Sequence, residues 1–149
     1  MAAILIYDAK QNKVLTLEKI EKSDKEWKRI LNKKEYEITT KKGTESAGSC
    51  TFDGILDGGI FKCVRCDTDL FDSSTKCESG TGWPTFVAPI SHLNIVELPD
   101  RSLRTVRTEV LCARCGSHLG HVFNDGPRPT GKRYRMNGFA LKFVLQGHL

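Results

Sequence analysis

The sequence predicts a mainly β domain whose N-terminal part is a hairpin followed by a short helical wrap. Three observations predict this. Before Gly43 stand two β-like runs and two helix-capping signatures. After Gly43 glycines are frequent and short alternating runs replace helical spacing. Two Cys-x-x-Cys pairs then punctuate the second half.

Taken in order, Ile4–Ala9 and Val14–Ile20 read as strands joined by Lys10-Gln11-Asn12-Lys13, a hairpin. Ser23 followed by Glu26, and Asn32 followed by Glu35, each read as a capping box. Residues 24–42 are therefore two short helices, with Trp27, Ile30 and Leu31 on one apolar stripe and Gly43 as the stop. Trp27 reads as a core anchor. Ile60–Val64, Ser102–Cys112, Leu119–Phe123, Arg133–Asn137 and Phe139–Leu145 read as strands of an antiparallel sheet or barrel. The chain divides into a hairpin (1–20), a helical wrap (21–42) and a cysteine-bearing β core (43–146) within one domain.

The 149 residues, 39% hydrophobic and 28% charged, suffice for one core. The net charge of +5 is spread among mixed Lys and Glu, which reads as solubility. A zinc-ribbon nucleic-acid binder is the competing reading, and the lack of clustered basic and aromatic residues counts against it. The N-terminus shows no secretory pattern and no stretch suits a membrane span, so the expected site is the reducing cytoplasm. There six cysteines point to metal or catalysis before disulfides.

Cys63-Val64-Arg65-Cys66 and Cys112-Ala113-Arg114-Cys115 form two knuckles, each placing two thiolates at the end of a tight turn. Facing each other, the knuckles complete a tetrahedron for one structural Zn²⁺. Asp67 and Gly116 suit the turns, and Lys62, Arg65 and Arg114 stand where they offset the thiolate charge or are merely solvated. A redox Cys-x-x-Cys is the alternative, but neither pair opens a helix after a strand. A four-thiolate site is closed and supports the fold rather than chemistry.

Three further segments are too specific for generic scaffolding. They are Ser79-Gly80-Thr81-Gly82-Trp83-Pro84-Thr85-Phe86, the run from Gly116 to Pro127 around His118 and His121, and Pro129 to Asn137. With the knuckles in this order, and the Gly43-Thr44-Glu45 step, the chain resembles the B-type methionine-R-sulfoxide reductases from about Trp27 to Phe143. The resemblance implies two antiparallel sheets of the Mss4-like, β-tent kind, with zinc at one end and a shallow pocket at the other. It implies reduction of methionine-R-sulfoxide, free or in peptides, with thioredoxin or another dithiol as reductant; separately, the chain is expected to be a monomer. A thiolate attacks the sulfoxide sulfur, leaving methionine and a sulfenic acid that thiols then reduce.

Carried over by position, Trp83 looks like the wall that cradles the substrate methyl group. His118 and His121 look like the pair that holds and protonates the oxygen, with Asn137 as a further donor. Phe123, Asp125 and Arg133 match the pocket floor and its polar support. Without the resemblance each has a plainer reading: core for Trp83, satisfied structural histidines or a second metal for His118 and His121. His92 and His148 lie outside any motif and read as surface residues.

One position departs from the pattern. The family's nucleophilic cysteine or selenocysteine stands two residues before the last motif's Asn, and here that residue is Arg135. Guanidinium stays protonated and has no lone pair for attack. Three explanations stay open: a one-base change in a working enzyme, an inactive relative that binds oxidised methionine, or an altered mechanism through Cys50 or Cys77. Each of those two cysteines reads as a resolving thiol, a relocated nucleophile or an inert buried group.

Overall fold

The computed structural model describes residues 2–52, 58–77 and 80–148. Ser79 of the Trp83 motif falls outside them, and of His148 only the backbone is described. A hairpin comes first, with β1 (Ala3–Asp8) antiparallel to β2 (Lys13–Glu18). Two helices follow, α1 (Asp24–Ile30) and α2 (Lys33–Lys41), and both capping boxes form, at Ser23/Glu26 and Asn32/Glu35. The left-handed residue that ends α2 is Lys42 (φ 57°), not Gly43. Gly43 follows it and donates to the Glu37 carbonyl at 3.2 Å.

The remaining strands form two sheets. The smaller has the order β11–β3–β4, from Leu141–Leu145, Gly59–Cys63 and Asp69–Asp72. The larger has the order β5–β6–β10–β9–β8–β7. Its strands are Lys76–Cys77, Thr85–Phe86, Arg133–Met136, His118–Phe123, Arg107–Cys112 and Ile95–Asp100. Every pairing is antiparallel. Two expected strands are shorter than the sequence reads. Residues 102–105 bend away before β8, and Gly138–Ala140 is a 3₁₀ turn before β11. The edge strand β7 went unread because Val96, Glu97, Leu98 and Pro99 are exposed and carry a proline, features that suit only a sheet edge.

Between the two sheets lies an aromatic core. Phe71 of β4 stacks on Phe86 of β6 at 4.3 Å between centroids. Phe61 of β3 meets Phe86 edge-on at 5.0 Å and tilts against Phe143 of β11 at 4.9 Å. Each such pair adds about 0.5–1.5 kcal/mol beyond the burial of its rings. Trp27 and Leu31 bury against the same core, so the helical wrap is anchored as expected. Alternation then assigns the faces of the large sheet: Phe86, Val122 and Tyr134 look into the core, and Thr85, His121 and Arg135 look away from it.

One irregularity matters to everything on that outer face. Val110 pairs with Gly120 and Leu111 with His118, so Leu119 is an extra residue in β9. Without this bulge, side chains three apart on a strand would face opposite ways. With it, His118 sits opposite Leu111 and His121 opposite Glu109, on one face. Gly120 lies within the same irregular stretch, where a Cβ would come 2.2 Å from the Arg135 carbonyl oxygen and 2.8 Å from Met136 Cα. Gly120→Ala is expected to cost about 1–3 kcal/mol through overpacking of the β9–β10 ladder. Chemical denaturation measures this, and an unchanged midpoint would show that the ladder yields freely.

Candidate functional site

A tight cleft on the outer face is lined by Thr44, Trp83, Gly120, His121, Arg135, Met136 and Asn137, with a volume of about 10 Å³. Cross-strand register assembles it: Arg135 on β10 pairs with Thr85 on one side and His121 on the other. The Arg135 guanidinium lies 4.8 Å from the Trp83 ring and 5.1 Å from the Phe123 ring. Burial, then the neighbouring Arg107 and Arg133 charges, pull its pKa down from the ordinary arginine value.

Glu45 holds the cleft together from the loop after α2. Its carbonyl accepts from Trp83 Nε1 at 3.0 Å and its N–H donates to Asn137 Oδ1 at 3.3 Å. Its Oε1 accepts from the Phe139 N–H at 2.9 Å, and burial raises its pKa. Asn137 in turn fixes the bulge, since its backbone N–H and its Nδ2 both donate to the Leu119 carbonyl, at 2.8 and 3.3 Å. Among the described residues nothing takes the second Nδ2 hydrogen.

Each histidine is paired with a carboxylate that no sequence motif announced. His121 Nε2 lies 2.7 Å from Asp100 Oδ2, and His118 Nδ1 lies 2.6 Å from Glu109 Oε2. Asp100 also takes Arg107 at 3.3 Å, and Glu109 takes Lys42 at 3.4 Å. The signal for Glu109 was its place two residues before Leu111 on a strand beside β9, legible only once register is known. Asp100 is carried in by β7, which the sequence reading missed. His121 hydrogen-bonding holds the Asp100 carboxyl well below the usual range, after the larger effect of Ser102.

Of the residues singled out in sequence, Trp83, His121, Arg135 and Asn137 meet at the cleft. His118 instead lines a neighbouring cavity, with its ring 5.6 Å from that of His121. Arg133 holds Asp125 through two bonds of 2.8 and 3.0 Å and stacks on Phe123 at 4.8 Å, flanking the cleft beyond Arg135. Cys77 lies in the row Cys77–Thr85–Arg135, two strands from Arg135. Cys50 packs against Gly138, where burial and then Glu45 raise its pKa and favour the inert thiol. Neither cysteine lines the cleft. His92 is exposed, as expected.

Where β3 and β8 end, the four knuckle sulfurs lie within 4.8 Å of one another. Cys63 and Cys115 Sγ are 3.7 Å apart and Cys66 and Cys112 Sγ 3.6 Å apart. A tetrahedral thiolate site with metal–sulfur bonds of about 2.3 Å has sulfurs about 3.8 Å apart, so the set fits a metal ion. The two turns match: Asp67 and Gly116 both have positive φ (64° and 76°) and both donate to the first cysteine's carbonyl at 2.9 Å. Of the three cations expected nearby, two are engaged elsewhere, Lys62 with Asp69 at 2.8 Å and Arg114 with the Glu18 carbonyl at 3.1 Å. Arg65 stays, donating to the Cys115 carbonyl at 3.4 Å while lying 4.6 Å from the Trp27 ring.

Comparison with known proteins bears on this arrangement. The family profile of the SelR domain matches residues 31–145. The peptide methionine sulfoxide reductase MsrB of Pseudomonas syringae pv. syringae is 46% identical over 128 residues, covering 86% of this chain and 98% of that protein. The MsrB of Methanosarcina barkeri is 48% identical over 127 residues, covering 85% and 89%. The chain belongs to the B-type methionine-R-sulfoxide reductase family. The chloroplastic B1 reductase of Arabidopsis thaliana is 47% identical over 137 residues, covering 92% of this chain and 65% of that one. Among solved structures, the Mis18 "Yippee-like" domain superposes with a TM-score of 0.49 at 21% identity, covering 61% of this chain and 99% of that chain. By family the protein is a peptide-methionine (R)-S-oxide reductase, a mainly β fold with a four-cysteine cluster. No helix among the described residues is long and apolar enough to cross a membrane.

The buried histidines give a prediction about pH. Burial lowers the pKa of His118 and of His121 more than their carboxylates raise it. The folded chain therefore binds these protons less readily than the unfolded chain. Their contribution to stability is complete above the unfolded value of about 6.5 and is lost as pH falls toward the folded values. His118→Asn is expected to flatten the decline in denaturation midpoint between pH 7 and pH 5. An identical slope in the variant would show that His118 takes no part in it.

Proposed function

We propose that this chain carries the methionine-R-sulfoxide cradle of its family but not the reductive step. The observation that supports this is the stacking of the Arg135 guanidinium against Trp83 and Phe123, which leaves the cleft about 10 Å³. Trp83 is the wall for the substrate methyl group, and the Nδ2 of Asn137 is a donor to the oxygen. His121 becomes a second donor when its Nδ1 is protonated, since its Nε2 is already on Asp100. Arg135 stands where the nucleophile belongs. Arg133, Asp125 and Phe123 brace that position from beside it. A guanidinium offers no electron pair to sulfur, and Cys50 and Cys77 do not reach the cleft. A binding role for the unchanged chain is disfavoured too, because Arg135 fills the space that a sulfoxide would take.

With cysteine at this position the steps balance. The thiolate attacks the sulfoxide sulfur, the oxygen passes to the cysteine as sulfenic acid with uptake of a proton, and methionine leaves. Thioredoxin or another dithiol then reduces the sulfenic acid to thiol, releasing water and a disulfide. Six free cysteines suit a monomer working as one domain in a reducing cytoplasm. Arg135→Cys is expected to turn over a methionine-R-sulfoxide peptide with dithiothreitol, whereas the unchanged chain stays at background. Turnover by the unchanged chain, or none in a folded Arg135→Cys protein, rejects the proposal.

The metal of the knuckles is, in this reading, one zinc ion held by Cys63, Cys66, Cys112 and Cys115. It would supply cross-linking of the two sheets and no chemistry at the cleft. Cys112→Ser is expected to lose zinc, measured by atomic emission, and to unfold at lower temperature, since metal binding here is folding free energy. Full zinc content in that variant would place the metal elsewhere.

A further inference from the structure

A cavity of about 530 Å³ lies between residues 19–24, the two helices, both knuckles and the outer end of the large sheet. This volume falls in the range of ligand sites. Its floor is apolar. Val96 pairs with Leu111 across β7 and β8, and Leu98 lies two residues on, so all three share one face. Val96 and Leu98 remain 37% and 43% exposed on the edge strand. The basic rim of Lys19, Lys22, Lys42 and Arg65 outnumbers the acidic Glu21 and Asp24. Lys42 is shared with Glu109 and Arg65 is held by Thr39 and Thr40, but among the described residues Lys19 and Lys22 form no ion pair.

The cavity shares a wall with the cleft. His118 lines the cavity and His121 the cleft, and Lys42 and Thr44 divide in the same way. His118 is buried, and among the described residues its Nε2 has no hydrogen-bond partner. Because Nδ1 faces the Glu109 carboxylate, the proton belongs on Nδ1 and Nε2 is left an unmet acceptor. An extended chain advances about 3.3 Å per residue. A polypeptide whose oxidised methionine lies against His121, and which runs toward the cavity, reaches His118, at 5.6 Å, within about two residues.

We propose that this cavity receives the polypeptide flanking the oxidised methionine, and that it favours segments in which acidic side chains accompany an apolar one. Apolar residues cover Val96, Leu98 and Leu111, carboxylates meet Lys19 and Lys22, and backbone N–H groups are the donors that His118 and the free edge of β7 lack. The proposal rests on reading the cleft as the sulfoxide cradle, and the experiment separates the two.

Labelled peptides with a central methionine-R-sulfoxide are compared with Glu-Leu, Gln-Leu or Lys-Leu flanks, in the Arg135→Cys protein. The Glu-Leu peptide is expected to show kcat/KM about five- to tenfold above Gln-Leu at low salt, with Lys-Leu lowest. Lys19→Glu with Lys22→Glu should abolish or reverse that order and leave free methionine-R-sulfoxide turnover unchanged. Lys10→Glu with Lys13→Glu, equal in charge but outside the cavity, should leave the order intact. Equal rates for the three peptides, or the same response to both double variants, overturns the proposal. If Arg135→Cys turns over no substrate, the cleft reading falls, and anisotropy titrations of the same peptides on the same variants still decide the cavity. Displacement of the peptide by N-acetylglutamate at equal concentration would mark a small-anion site, and peptide-blocked dimerisation in sedimentation would mark a second copy of the chain. Either result also overturns the proposal.

Discussion

Cys63 closes β3 and Cys112 closes β8, and the sulfurs of their two knuckles lie within 4.8 Å of one another. One strand belongs to the small sheet and the other to the large one. A metal ion held by all four sulfurs would join the two sheets there by bonds as well as by packing. Everything between them is then set by distance from that point. The aromatic core fills the gap, the register of β8 against β9 is fixed just beyond Cys112, and the bulge at Leu119 lies in the first pairs of that register.

That bulge links scaffold to site. A single extra residue moves His118 to the face of His121, and the strand alternation that buries Tyr134 turns Arg135 to the same side. Asn137 holds the bulge by two bonds to the Leu119 carbonyl, and Glu45 holds Asn137 and Trp83 together. The polar groups of the cleft are thus largely occupied in positioning one another. Such mutual satisfaction fixes donors before a ligand arrives, and preorganised donors cost no rearrangement when charge develops.

The sequence made much of this legible, for reasons that can be traced. The capping boxes and the knuckles are local: Ser23, Asn32, Asp67 and Gly116 do their work within a few residues, so spacing alone reveals them. Trp83, His121 and Asn137 sat inside motifs specific enough to carry a family resemblance. Asp100, Glu109 and the separation of His118 from the cleft were not legible. Each depends on which strands lie side by side and in what register, information carried by long-range pairing. Edge strand β7 shows this most clearly, because its exposed, proline-bearing sequence resembles a loop until its partner β8 is seen.

Arg135 is well accommodated, and the reason lies in what the cleft offers to any occupant. An aromatic wall presents a negative π face, and a flat guanidinium stacks on such a face. Trp83 and Phe123 supply two of these faces at 4.8 and 5.1 Å. Against this stand the charges of Arg107 and Arg133, which depress the Arg135 pKa. Asp100 and Asp125 each lie on one of those two arginines and offset part of the repulsion where it arises. A thiolate in this position would feel what remains of those charges as attraction. The polar surroundings thus suit an anion on β10, while the aromatic walls suit a cation. Arg135 takes the second of these offers, so the fold keeps its shape with a cation at this position.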